Sequence, residues 1–186
     1  MLDAAWRCLA RKSYRDLTVD DVCAEAALSK GSFYGYFESK KQMLTALVEE
    51  DDARLDALLE ELGRARFTSS ERLRRFTRSV LDRAEDASLV QLRADLWTEQ
   101  LTDAAVRTHL AESVQRRRVR IRQWIEEGVA RSELVELPAN ALASILLALT
   151  DGLMLHRRLD QEGFRWTNVR AALDVLLAGL EPPADG

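Results

Sequence analysis

Three helix-start signals, Thr18, Ser29 and Ser39, follow one another at intervals of eleven and ten residues, and this spacing constrains the fold more than any other feature of the chain. Each side chain offers an oxygen that can accept a bond from the free amides of a first helical turn. A segment that restarts its helix so often has room for neither a long helix nor a strand. It accommodates two short helices across a tight turn and the beginning of a third. The first carries Val19, Val22, Cys23 and Ala26 on one face, which looks inward. Ala27 and Leu28 break the period. The second, opened by Ser29, turns Phe33 and Phe37 inward, one turn apart. Ser39 and Gln42 then have the spacing of a capping box.

The other side of the second helix holds Lys30, Ser32, Tyr34, Gly35 and Tyr36, with no carboxylate before Glu38. Small, hydroxyl-bearing and cationic groups so arranged let a phosphate backbone approach closely and accept several hydrogen bonds. Lys40 falls in the first turn of the third helix, where free amides and the helix dipole favour an anion, and is expected to act as a second phosphate clamp. These residues resemble the DNA-binding domain of TetR-type transcriptional regulators. That family's threonine-initiated helix, short turn, Ser-x-Gly-x-Phe-Tyr-x-Tyr/His-Phe helix and following Ser-Lys are matched by Thr18, Ser29, Gly31, Phe33, Tyr34, Tyr36, Phe37, Ser39 and Lys40.

The resemblance implies an all-α fold: a three-helix helix-turn-helix DNA-binding domain over residues 1–46 and a helical ligand-binding and dimerisation domain over 47–186. It also implies a homodimer that binds a double-stranded DNA operator and answers to a small-molecule effector. Thr18, Ser29, Lys30, Gly31, Ser32, Tyr34, Gly35, Tyr36 and Lys40 are the expected DNA-binding residues. Three features depart from the family. Ala27 stands where glycine is usual in the turn, and an alanine at positive φ costs about 1 kcal/mol, so a slightly reshaped turn is expected. Ser13 stands where a helix-ending glycine is common, so the link to Thr18 is expected to close differently. Leu2, Ala5, Trp6 and Leu9 already form an apolar face, so contacts from the basic arm that many relatives place ahead of the first helix are not expected.

Charge agrees with a focused contact. The net charge is −4, which argues against holding nucleic acid by bulk electrostatics over the whole surface. Up to Ala46 there are seven Lys/Arg against six Asp/Glu, and beyond it 20 against 25. All four lysines, Lys12, Lys30, Lys40 and Lys41, lie in the first part. Cys8 and Cys23 lack metal-ligand spacing and read as core residues, with a thiol switch as the alternative. No signal peptide and no continuous apolar span long enough for a membrane is apparent, so a cytoplasmic protein without a membrane partner is expected. Neither a cofactor nor a metal is expected.

Past Ser39 the pattern is of successive helices: 39–62 ended by Gly63, 68–84 opened by Thr68 and Glu71, 88–101 opened by Ser88, 103–131, then one with Pro138 in its first turn reaching 159, and a last one capped by Thr167 and ending near 179. Leu142, Ile145, Leu149 and Leu153, in line with His156, share one face. Val169, Leu173, Leu176 and Leu180 share another. Their apolar content exceeds what one neighbour covers, so they are expected to pair with a second copy in a four-helix interface. Arg93 and Gln100 project from the apolar side of their helix. They either meet internal acids and carbonyls or line a cavity; in the second case Phe76, Trp97, Trp124 and His109 complete a small-molecule pocket. The arginine run 116–122 reads as a solvated face. Two histidines, no metal spacing and no glycine-rich phosphate loop disfavour a helical enzyme. A dimeric small-molecule-binding or scaffold protein that has lost DNA binding is the alternative that Ala27 and the lack of expected arm contacts leave open.

Overall fold

The computed structural model describes residues 1–102, 104–160, 163 and 165–183, apart from the side chains of 87, 96–102, 105, 150 and 158. Among the described residues the chain is all helical: α1 (Leu2–Leu9), α2 (Val19–Ala26), α3 (Lys30–Tyr36), α4 (Lys40–Arg64), α5 (Ser69–Arg83), α6 (Ala87–Thr102), α7 (Ala104–Ala130), α8 (Ala139–Leu159) and α9 (Trp166–Ala178). They form two packing units. One comprises Met1–Leu55 and Ala84–Leu110, the other Asp56–Arg83 and Ala111–Gly186. The packing units are thus drawn differently from the sequence division at 46/47, because α6 packs on α1.

In the first unit Ala5, Leu9, Leu17, Val22, Phe33, Met43, Leu44, Leu47 and Leu92 share one buried core. Glu25 holds α2 to α1 by accepting from Arg7 at 2.6 Å and from Arg11. Lys12 does the same through Asp21 at 2.7 Å. The α1–α2 link closes without a left-handed residue at position 13: Ser13 Oγ donates to Asp16 at 2.7 Å, and its carbonyl accepts from the Leu17 amide. Ala27, by contrast, does not reshape its turn. It takes the left-handed conformation itself, φ 53° and ψ 40°. Its amide bonds to the Ala24 carbonyl and that of Leu28 to Cys23, a Schellman ending normally built on glycine.

In the second unit α5 packs against α8 and α9. Its core draws on Leu73, Phe76, Ile121, Trp124, Ile125, Leu134, Leu146 and Leu177. Gly128 sits where a Cβ would come within 2.7 Å of Ser69 and Leu134, so α7 can make this approach only through glycine. Helix boundaries depart from expectation in four places. Gly63 does not stop α4, which continues to Arg64 because burial of Leu59 and Leu62 outweighs the roughly 1 kcal/mol that a helical glycine costs. The side chain capping α6 belongs to Asp86, not Ser88, since its carboxylate accepts the Ser88 amide at 2.8 Å. Pro138 is the N-cap of α8 instead of a first-turn residue. Thr167 lies inside α9, whose N-cap is Arg165. Helix α8 also corrects the expectation that no apolar span suffices for a membrane: Ala139–Arg157 has the required length, with a mean hydropathy of 1.3. Its hydropathy reflects two apolar sides, one buried through Ala143, Leu146 and Met154 and one carrying exposed Ile145 and Leu155.

Candidate nucleic-acid interface

Thr18 caps α2 reciprocally. Its Oγ1 accepts the Asp21 amide at 3.1 Å, while the Asp21 carboxylate accepts the Thr18 amide at 2.9 Å. Lys12, then the Thr18 amide and hydroxyl, hold the Asp21 carboxyl well below the ordinary carboxylate range. Ser29 caps α3 by accepting the Ser32 amide at 3.1 Å. Phe33 is fully buried and Phe37 half-buried, with ring centroids 5.5 Å apart. This anchor turns the rest of α3 outward: Tyr34 is 57 % and Tyr36 68 % exposed.

Gly31 and Gly35 sharpen the picture. Neither has a positive φ. A Cβ at Gly31 would meet only Ser29 Oγ at 3.5 Å, and one at Gly35 would meet nothing within 4 Å. Two glycines in a seven-residue helix cost about 1 kcal/mol each against alanine, and no contact among the described residues requires them. They leave a bare strip of backbone between Lys30, Tyr34 and Tyr36, suited to the close approach of an external surface.

The expected DNA-binding residues divide by what their polar groups already do. Lys30, Gly31, Tyr34, Gly35 and Tyr36 are exposed on α3, and Ser32 is half-buried with its hydroxyl 3.1 Å from that of Ser29. Thr18 and Ser29 are exposed but spend their hydroxyls on caps. Lys40 is half-buried. Its ammonium donates to the Leu17 carbonyl at 2.6 Å and lies 4.4 Å from the Tyr14 ring centroid, tying α4 to the α1–α2 link. Asp20, beside Lys30 at 2.8 Å, is a residue of this face that sequence spacing did not single out.

Among the residues expected to line a pocket, Arg93 takes the structural alternative. It pairs with buried Asp51 at 2.5 Å and lies 3.7 Å from buried Asp52, both on α4. His109 Nε2 stands 3.2 Å from Asp52. Carboxylates so buried require such partners. Phe76 and Trp124 are core residues of the other packing unit. The side chains of Trp97 and Gln100 lie outside the described residues. The arginine run is not uniformly solvated either: Arg117 is buried and pairs with Asp56 at 2.9 Å.

Of the expected dimer residues, Ile145 and Leu176 are 60 % and 66 % exposed, and His156 is exposed. Leu142, Leu149, Leu153, Val169 and Leu180 are half-buried. Leu173 is buried in the chain's own core, which corrects its assignment to an outer face; the next outward positions are Val175 and Leu176.

Comparison with known proteins agrees with this geometry. Residues 1–47 match the family described as bacterial regulatory proteins, tetR family, and residues 69–181 match the C-terminal region of BetI-type transcriptional repressors. The HTH-type transcriptional repressor AcnR of Corynebacterium glutamicum is 25% identical over 156 residues, 82% of this chain and 77% of that protein. Among solved structures, a transcriptional regulator of Saccharomonospora viridis in complex with choline superposes with a TM-score of 0.81 at 23% identity, covering 95% of this chain and 93% of that one. A TetR transcription regulator of Haloarcula marismortui gives 0.83 at 17% identity, covering 96% and 95%.

Proposed function

The chain belongs to the TetR family of transcriptional regulators, and from that premise we propose that it is a cytoplasmic repressor whose homodimer binds a palindromic operator and releases it when a small molecule enters the C-terminal unit. The observation that carries the DNA-binding part is the outer strip of α3: exposed Lys30, Tyr34 and Tyr36 set among Gly31 and Gly35, whose missing side chains no close neighbour among the described residues requires. An α-helix fits the major groove, and one of seven residues reads only a few base pairs. Two copies are therefore needed for a useful site, and two-fold symmetry then requires an inverted repeat. The exposed aliphatic residues of α8 and α9 support the dimer. They are long-lived in water only if something dry covers them, and a second copy supplies the same residues in return.

Release follows from continuity of α4. It begins at Lys40, just after α3, and runs to Arg64. A displacement of its distal half by a bound molecule moves its proximal half, and with it the distance between two recognition helices. The effector shifts the balance only by its differential affinity for the two arrangements. The Saccharomonospora viridis protein of like fold holds choline; for this chain the proposal goes no further than a small molecule.

Selection of bound sequences from a random duplex library tests this reading. The expected product is an inverted repeat with half-sites about one helical turn apart. Recovery of no enriched sequence, or retention on duplex that does not fall with salt, would defeat it and favour the alternative in which DNA binding has been lost.

A further inference from the structure

Asp20 places a carboxylate on the face that α3 offers outward. It stands in the first turn of α2, and its Oδ1 lies 2.8 Å from Nζ of Lys30, the first residue of α3. Both side chains are mainly exposed, at 66 % and 61 %, so the pair stands in water at the α2–α3 corner. Donation to the Asp20 carboxylate also holds the Lys30 ammonium more firmly protonated than usual. A lysine ammonium has three N–H donors, and Asp20 needs one.

A phosphate and a base edge do not compete equally for the other two. A phosphate brings a full negative charge against the Asp20 carboxylate, whereas N7 and O6 of guanine are neutral acceptors. With Asp20 in place, Lys30 is a weaker phosphate anchor and keeps its worth as a reader of a neutral acceptor. Several other cations of this unit have partners of their own: Lys12 pairs with Asp21, Arg7 and Arg11 with Glu25, and Lys40 donates to the Leu17 carbonyl. We propose that Asp20 is a specificity-determining residue: by holding Lys30 across the α2–α3 corner it directs that lysine to a guanine edge and lowers the affinity for duplex of arbitrary sequence. The inference rests on the DNA-binding reading above.

The test measures the full chain on its selected duplex and on a scrambled duplex of equal length, each over a range of salt. D20N is expected to raise affinity for the scrambled duplex about three- to tenfold and to steepen its log–log salt dependence by about one, equivalent to one further phosphate contact. Affinity for the selected duplex rises less, so the ratio of the two falls. D20S removes the charge without adding an amide and should behave as D20N does. Repeating the selection with D20N and K30M should weaken a guanine preference at the same position of each half-site. Asp20 is exposed, so its variants should unfold at the wild-type denaturant concentration to within a small margin. If the wild type shows no salt-dependent preference for its selected duplex, the DNA-binding reading fails. If the wild type does, but D20N and D20S keep its ratio and salt slope, or K30M keeps the guanine preference, this inference alone is overturned.

Discussion

At the α2–α3 corner the chain covers its own apolar residues, Val22, Cys23 and Phe33, and turns glycine, tyrosine and lysine outward. On α8 and α9 it buries Leu146, Leu173 and Leu177 yet leaves Ile145, Val175 and Leu176 in water. Each surface is costly in isolation, in opposite senses. Glycines weaken α3 where a larger residue would fit, and aliphatic groups on α8 and α9 remain hydrated where polar ones would be free of penalty. What each face lacks identifies its partner. The first lacks side-chain bulk at Gly31 and Gly35, and its Asp20 carboxylate is already paired with Lys30, as suits a close-approaching polyanion. The second lacks polarity, as suits a dry contact with a copy of itself.

The largest effect that separates the two faces is expected at Phe33. Its side chain is fully buried, so Phe33→Ala should destabilise the fold by about 3–5 kcal/mol in urea unfolding and remove DNA binding with it. Leu176→Ala should leave the monomer's stability almost unchanged, because little of that side chain is covered within the chain. The second effect is on assembly. Ile145→Glu combined with Leu176→Glu should weaken the dimer by at least about 100-fold, or roughly 2.7 kcal/mol, in sedimentation at graded concentrations, while the monomer keeps its helical circular dichroism. A dimer unaffected by both charges would mean that α8 and α9 face something other than each other's copies.

The contrast also bears on what the chain reveals before it is folded. Helix starts at Thr18, Ser29 and Thr68 were legible because a cap is local: the hydroxyl and the amide it accepts are three residues apart. The outward strip of α3 was legible for the same reason. For Arg93 the pattern left an internal acid or a cavity open, since the buried carboxylate that satisfies it lies 42 residues away on α4. Lys40 is similar, because only the closed α1–α2 link brings the Leu17 carbonyl to its ammonium. On α8 and α9, periodicity shows two apolar sides but not which one the chain keeps. Leu173 therefore moved from the expected outer face to the core. Asp20 escaped notice because its partner Lys30 lies ten residues along the chain, beyond the reach of a helical pattern.

The next smaller effect tests the local cap. Thr18→Ala should cost about 1 kcal/mol, since it leaves first-turn amides of α2 without their acceptor. Asp21 gives this a pH dependence of known sign. Its folded-state carboxyl ionises well below the usual range, so the stabilisation is complete above the unfolded value, near pH 4, and is lost as the pH falls further. The difference between wild type and Thr18→Ala, followed by denaturant unfolding, should therefore shrink under acid.

The smallest effect compares the two regions through a motif they share. Ala27 after α2 and Ser132 after α7 both have positive φ, 53° and 58°. Both close a Schellman ending: Leu28 donates to the Cys23 carbonyl at 2.9 Å, and Glu133 to that of Gly128 at 2.8 Å. A left-handed residue with a Cβ is strained by about 1–2 kcal/mol. Glycine removes that strain but returns about 0.4–1 kcal/mol through its freer unfolded chain. Ala27→Gly and Ser132→Gly should each therefore stabilise their unit by about 0.5–1 kcal/mol in denaturant unfolding. Operator affinity should stay at the wild-type value in both. Were Ala27→Gly alone to alter it, the strain at Ala27 would be setting the angle at which α3 meets DNA, and the local reading of that corner would have to give way to a mechanical one.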